Sequence, residues 1–86
     1  MIEESINRYE DLLGRMGQAQ SHEELETYTG QIRQTLQDIQ HYAEQLPDKQ
    51  EARRWHKLGG AWTVTAETVM DRRLKILERK RVAAYE

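Results

Sequence analysis

Leu25, Ile32, Ile39 and Leu46 recur every seven residues, and no other feature constrains the folding of this chain as strongly. A seven-residue apolar repeat is two helical turns, so it lays a continuous stripe along a helix that another helix must cover. Tyr28, Thr35 and Tyr42 fill the intervening positions of the stripe, and Leu36 and Ala43 widen it. The segment closes at Leu46-Pro47-Asp48, because a residue before proline is pushed out of the α region.

A second stripe precedes the first. Ile2, Ile6, Tyr9, Leu13 and Met16 are spaced 4, 3, 4 and 3, the seam of a bundle or coiled-coil helix. It is out of phase with the stripe that follows, since steps of seven from Ile6 and Leu13 reach Gln20 and Thr27. Gly14 and Gly17 weaken its end. Ser21-His22-Glu23-Glu24 matches a capping box, in which the serine hydroxyl and the glutamate carboxylate satisfy each other's backbone donors. The expectation is therefore a helix over residues 1–20, a break or kink, and a heptad helix over 21–46; a stutter in one long helix is the alternative.

Residues 66–85 also read as helix, with Val69, Met70, Leu74, Ile76, Leu77 and Ala83/Ala84 on one side. Residues 49–65 admit two readings. As strands, Arg53–Leu58 and Ala61–Thr65 flank Gly59-Gly60, a pair able to take the positive φ of a tight hairpin turn. Trp55, Trp62 and Val64 then share one face. As helix, Asp48 caps Lys49–Leu58 and Gly59 stops it in a left-handed cap. Glu51, Ala52, Arg53 and Arg54 favour helix, Thr63, Val64 and Thr65 favour strand, and the residues alone leave the choice even.

Composition removes several classes of protein. With 86 residues and no cysteine, the chain is a single domain with a small core, and association rather than disulfides is the expected support. His22, His41 and His56 form no pair spaced for one helix face, so no metal site is expected, nor any other cofactor. The mean hydropathy of −0.96 and the lack of a long apolar run exclude a membrane helix, and Met1-Ile2-Glu3-Glu4-Ser5 does not read as a secretory signal. A cytoplasmic chain is the expectation. Gly59-Gly60 lacks the spacing and the Lys of a phosphate-binding loop. Ser5 lies in a seam and Ser21 at a cap, so a serine nucleophile is not expected either. No enzyme is foreseen.

The order of these pieces resembles the β-type subunits of prefoldin, the hexameric chaperone that holds unfolded chains between helical-hairpin tentacles. The matching stretch is Leu46-Pro47-Asp48, Trp55-His56-Lys57-Leu58-Gly59-Gly60, Ala61-Trp62-Thr63-Val64-Thr65, and then Val69 onward, covering about residues 25–80. The resemblance implies a helical hairpin with a small β-hairpin at its bend, and assembly through Trp55, Leu58, Trp62 and Val64. The family's two helices are of comparable length, whereas here the last helix can pair only with about Leu25 to Leu46. Residues 2–18 must then fold back as a third helix or pair with another chain. The fold expected is mostly α, a helical hairpin or coiled coil with a small β-hairpin, with an all-α bundle of three or four helices as the alternative.

Three functions fit. The first is a self-assembling, non-enzymatic binder of other polypeptides, a prefoldin-like chaperone or adaptor, using Ile6, Tyr9, Leu13 and Met16 as well as the Trp-centred residues. The second is suggested by charge: residues 1–48 carry ten acids and three bases, for −7, while residues 49–86 carry ten bases and five acids, for +5. Arg72, Arg73, Lys75, Arg79, Lys80 and Arg81 could then contact nucleic acid phosphates, although an acidic helix lying against a basic one explains the same split. The third is a small inhibitor that caps a partner machine.

Overall fold

The computed structural model describes the backbone of residues 2–85 and the side chains of residues 2–80. Three helices account for almost all of it: α1 (Ile2–Met16), α2 (His22–Glu44) and α3 (Lys49–Tyr85). Arg81, Ala83 and Ala84, named above, lie outside the described side chains.

The break between the first two helices falls where the glycines and the capping box place it. Ser21 is the N-cap of α2 in extended conformation, and its hydroxyl accepts from the Glu24 N–H at 3.1 Å. The Glu24 carboxylate accepts from the Gln20 N–H at 3.0 Å, one residue earlier than a capping box requires. Both bonds hold the start of α2 against the turn that leaves α1.

After Leu46-Pro47 the chain reverses. The Asp48 carboxylate accepts from the Gln50 N–H at 2.9 Å, and α3 begins. It then runs for 37 residues without interruption, about 55 Å at 1.5 Å per residue, which matches the 58 Å long axis of the molecule.

The β-hairpin expected at residues 53–65 is absent, as is a helix stop at Gly59. Among the described residues there is no strand and no glycine with positive φ, so Gly59 and Gly60 form neither a primed turn nor a left-handed cap. The reason is a seam that runs through both glycines. Ala52, Trp55, Gly59, Trp62, Ala66 and Val69 are spaced 3, 4, 3, 4 and 3, and all are buried or half-buried. A helix buries them together against two neighbours, whereas an isolated two-stranded hairpin is marginal in water. The threonines that argued for strand fit the helix by bonding back to the preceding turn. Thr63 donates to the Gly59 carbonyl at 2.8 Å, Thr65 to Ala61 at 3.0 Å and Thr68 to Val64 at 2.9 Å.

The helices alternate in direction. Tyr9 meets Trp62, Gly17 faces Val69 and the Ala19 carbonyl accepts from Arg73, so α1 and α3 run in parallel. Tyr42 meets Trp55 while Leu25 lies level with Met70 and Leu74, so α2 runs against both. Residues 2–18 do fold back as a third helix. The core contains Tyr9, Leu12, Met16, Ala19, Leu25, Ile32, Ala66 and Leu77. Thr35, also buried, places its hydroxyl on the Gln31 carbonyl at 2.8 Å, which satisfies it inside its own helix.

Neither Gly59 nor Gly60 is required by its surroundings, since a Cβ built at either meets nothing within 4 Å. Glycine in a helix interior costs up to about 1 kcal/mol relative to alanine. Gly60→Ala is expected to raise stability by about 0.5–1 kcal/mol, seen as a rise of several degrees in thermal midpoint. A fall in midpoint would show that residues 59–60 are not helical.

Candidate functional site

The residues expected to carry function divide into three groups. Trp55 and Trp62 turn inward. Trp62 stacks on Tyr9 with ring centroids 5.5 Å apart and planes at 25°, and the Tyr9 hydroxyl donates to the Trp62 carbonyl at 2.7 Å. Trp55 meets Trp62 edge-on at 6.3 Å and Tyr42 edge-on at 6.0 Å. This ladder ties all three helices together. Tyr9 and Met16 are buried and Ile6 and Leu13 half-buried, so much of the first seam is spent on the fold. Leu58 and Val64, placed beside the tryptophans by the hairpin reading, lie apart from them at 36% and 62% exposure.

The basic group is divided as well. Arg73 is half-buried and donates to the Ala19 carbonyl at 2.6 Å, which ties α3 to the turn after α1 rather than facing a partner. Arg72, Lys75, Arg79 and Lys80 are exposed.

The feature the residues did not announce is a groove between α2 and α3, which Met16 at the end of α1 reaches from below. Its centre is a cavity of about 60 Å³ among Met16, Thr29, Ile32, Leu36, Ala66 and Met70. Open hollows of about 530 and 380 Å³ adjoin it, one reaching His22, Leu25, Glu26 and Leu74 and the other Val64, Thr68 and Asp71. Arg33 and Met70 line all three. The floor is apolar and the rim carries Glu26, Glu67 and Asp71 against Arg33. Two sequence signals pointed here: Leu36 widens the α2 stripe, and Met70 and Leu74 stand to one side of the Val69 seam. Each implies an apolar edge wider than two helices need.

The site contains little reactive chemistry. Among the described residues no three His, Asp or Glu side chains are placed to hold a metal ion, and the Ser21 hydroxyl is engaged at the start of α2. No described helix is long and apolar enough to cross a membrane.

Fold and groove together define an all-helical three-helix bundle with an apolar channel along one side. No protein-family model, no curated protein and no solved structure matches the chain.

Burial pushes the Tyr9 hydroxyl above its ordinary value of 10.0. The unfolded chain releases this proton at lower pH than the folded one, so the contribution is whole below about pH 10 and is lost as pH rises through the folded-state value. Tyr9→Phe is expected to cost about 0.5–1.5 kcal/mol at neutral pH through the lost hydrogen bond, and to flatten the loss of stability above pH 10. Urea titrations at both pH values test this; equal alkaline slopes in the two proteins would contradict it.

Proposed function

We propose that this chain is a non-catalytic helical module that binds another polypeptide along the groove between α2 and α3. The observation that carries the reading is the groove itself. Leu25, Ile32, Leu36, Ala66, Met70 and Leu74 form its floor, with Met16 of α1 at its centre. Apolar surface between two parallel walls is the receptor half of helix-in-groove recognition, in which an amphipathic helix lays its apolar face between two others. The driving force is burial of that floor, about 25 cal/mol per Å² of apolar surface removed from water.

The reading keeps the adaptor part of the first expectation and discards the mechanism borrowed from prefoldin. Assembly there was to run through a shared β-hairpin, and residues 53–65 are helix. The resemblance contributes only a helical hairpin bent at Leu46-Pro47-Asp48. The nucleic-acid reading retains Arg72, Lys75, Arg79 and Lys80 but loses Arg73 to the Ala19 carbonyl.

A photo-crosslinking amino acid at Arg33, in the groove, is expected to give polypeptide adducts in cells. The same group at Asp38, exposed and bonded to Gln34 on the outer side of α2, is expected to give none. Absence of adducts at position 33, or equal yield at both, would contradict the reading.

A further inference from the structure

The outer face of α3 repeats itself. Arg54, Lys57 and Leu58 recur as Arg72, Lys75 and Ile76, each eighteen residues further along. Eighteen residues are five whole turns of an α-helix, so the two triplets lie in line, about 27 Å apart. All six side chains are exposed. They stand on the side of α3 turned away from the Trp55, Gly59, Trp62 and Ala66 seam that packs against the bundle.

The strip joining the triplets is free of acid. Ala61, Thr65 and Thr68 lie along it, and Val64 stands at the edge it shares with the groove. Glu51, Glu67, Asp71 and Glu78, the acids of α3 among its described side chains, flank the strip and none stands on it. The acids of α1 and α2 are behind it, across a bundle 19 Å by 14 Å in section. With a Debye length of about 8 Å at physiological salt, much of their repulsion is screened there.

Bases alone suit any polyanion, and the aliphatic side chains select among them. The large aliphatic residues exposed among the described residues are Leu58 at 36%, Val64 at 62% and Ile76 at 40%, and all belong to this strip or its edge. Nucleic acid phosphates would leave such side chains in water. A bilayer interface takes both kinds, with cationic groups at the headgroups and aliphatic groups just beneath them. The spacing agrees, since a straight helix meets a plane along its whole length. A B-form duplex returns a strand to the same line only about every 34 Å, out of step with the triplets.

We propose that α3 lies by this face on an anionic lipid bilayer, with Arg54, Lys57, Arg72 and Lys75 at the headgroups and Leu58 and Ile76 dipping below them. The contact is peripheral, since no described helix is long and apolar enough to cross a membrane. The inference goes beyond polypeptide binding in the groove and does not depend on it; crosslinking at position 33 tests that separately.

Flotation with vesicles tests the proposal. The native chain is expected to float with mixed phosphatidylserine and phosphatidylcholine vesicles and to stay behind with phosphatidylcholine alone. It is expected to be released near 1 M salt, where the Debye length is about 3 Å. Lys57→Gln with Lys75→Gln is expected to weaken binding about 25-fold, about fivefold for each base. Leu58→Gln with Ile76→Gln is expected to weaken it about tenfold, and Arg33→Gln on α2 not at all. Helical circular dichroism should be unchanged in each, since every one of these positions is exposed.

Equal binding to neutral vesicles, or full binding after the Leu58 and Ile76 changes, would overturn the proposal. Duplex DNA bound more tightly than the vesicles, without regard to those two changes, would overturn it in favour of nucleic acid. The chain has no cysteine, so a polarity-sensitive dye can be attached singly to Leu58→Cys, Ile76→Cys or Asp38→Cys. Anionic vesicles are expected to shift its emission to the blue at positions 58 and 76 together, and not at 38. A shift at neither position, or at one alone, overturns the proposal whether or not the glutamine variants fold.

Discussion

The structure depends on α3 remaining helical through Gly59 and Gly60. Trp55 and Trp62 are seven residues apart, two helical turns, so an unbroken helix stacks both on one side and offers them to different neighbours. Trp55 receives Tyr42 of α2, and Trp62 receives the ring and hydroxyl of Tyr9 from α1. A stop at Gly59 would separate the tryptophans and free α1 from α3. Two adjacent glycines in a helix interior cost on the order of 2 kcal/mol relative to alanines, which tertiary packing must offset. Large aromatics are suited to that, since each buries roughly 150–250 Å² and ring pairs add to the burial term.

This arrangement explains how a short chain with no cysteine holds three helices together. The turn that leaves α1 is fixed to α3 by Arg73 reaching the Ala19 carbonyl and by Val69 against Gly17. Backbone bonds close the α1 end of that turn, Gly17 to Leu13 and Gln18 to Arg15, while the Ser21 and Glu24 side chains hold its α2 end. The polar interior is similarly local, with Thr29 bonding back to Leu25 and Thr35 to Gln31. Apolar contact therefore sets the arrangement, while hydrogen bonds fix the helix ends. The apolar surface left over is the channel beside Met70, with Glu26, Glu67, Asp71 and Arg33 along its rim.

Much of the fold was legible in the residues. The Leu25-to-Leu46 repeat specified α2, Ser21 marked its start and Pro47 its end. Residues 2–18 fold back as α1, one of the two outcomes expected for them, although that expectation rested on a last helix of about 20 residues and α3 has 37. What misled was residues 53–65, for a physical reason. Trp55 and Trp62 share a face both in a hairpin turning at Gly59-Gly60 and in a helix of two turns, so the most informative side chains could not discriminate. Ala52, Ala66 and Val69 could, because they extend the 3–4 spacing beyond the length of any hairpin; alanine is too common in both structures for that to stand out. The groove was harder still to foresee. It lies between edges of two helices rather than along either seam, and only the width of the stripe at Leu36 and the offset of Met70 and Leu74 hinted at it. The basic residues were visible as a cluster, but the engagement of Arg73 depends on where α1 ends.

The most direct test of this account is the backbone of residues 58–66, followed by nuclear magnetic resonance. Continuous helix predicts helical Cα shifts with strong sequential amide–amide contacts through Gly59 and Gly60. Trp55 and Val64 would then show no contact, being nine residues, about 13 Å, apart along the helix. Extended shifts on both sides of the glycines, with Trp55 facing Val64 across a turn, would contradict the aromatic ladder and the bundle built on it.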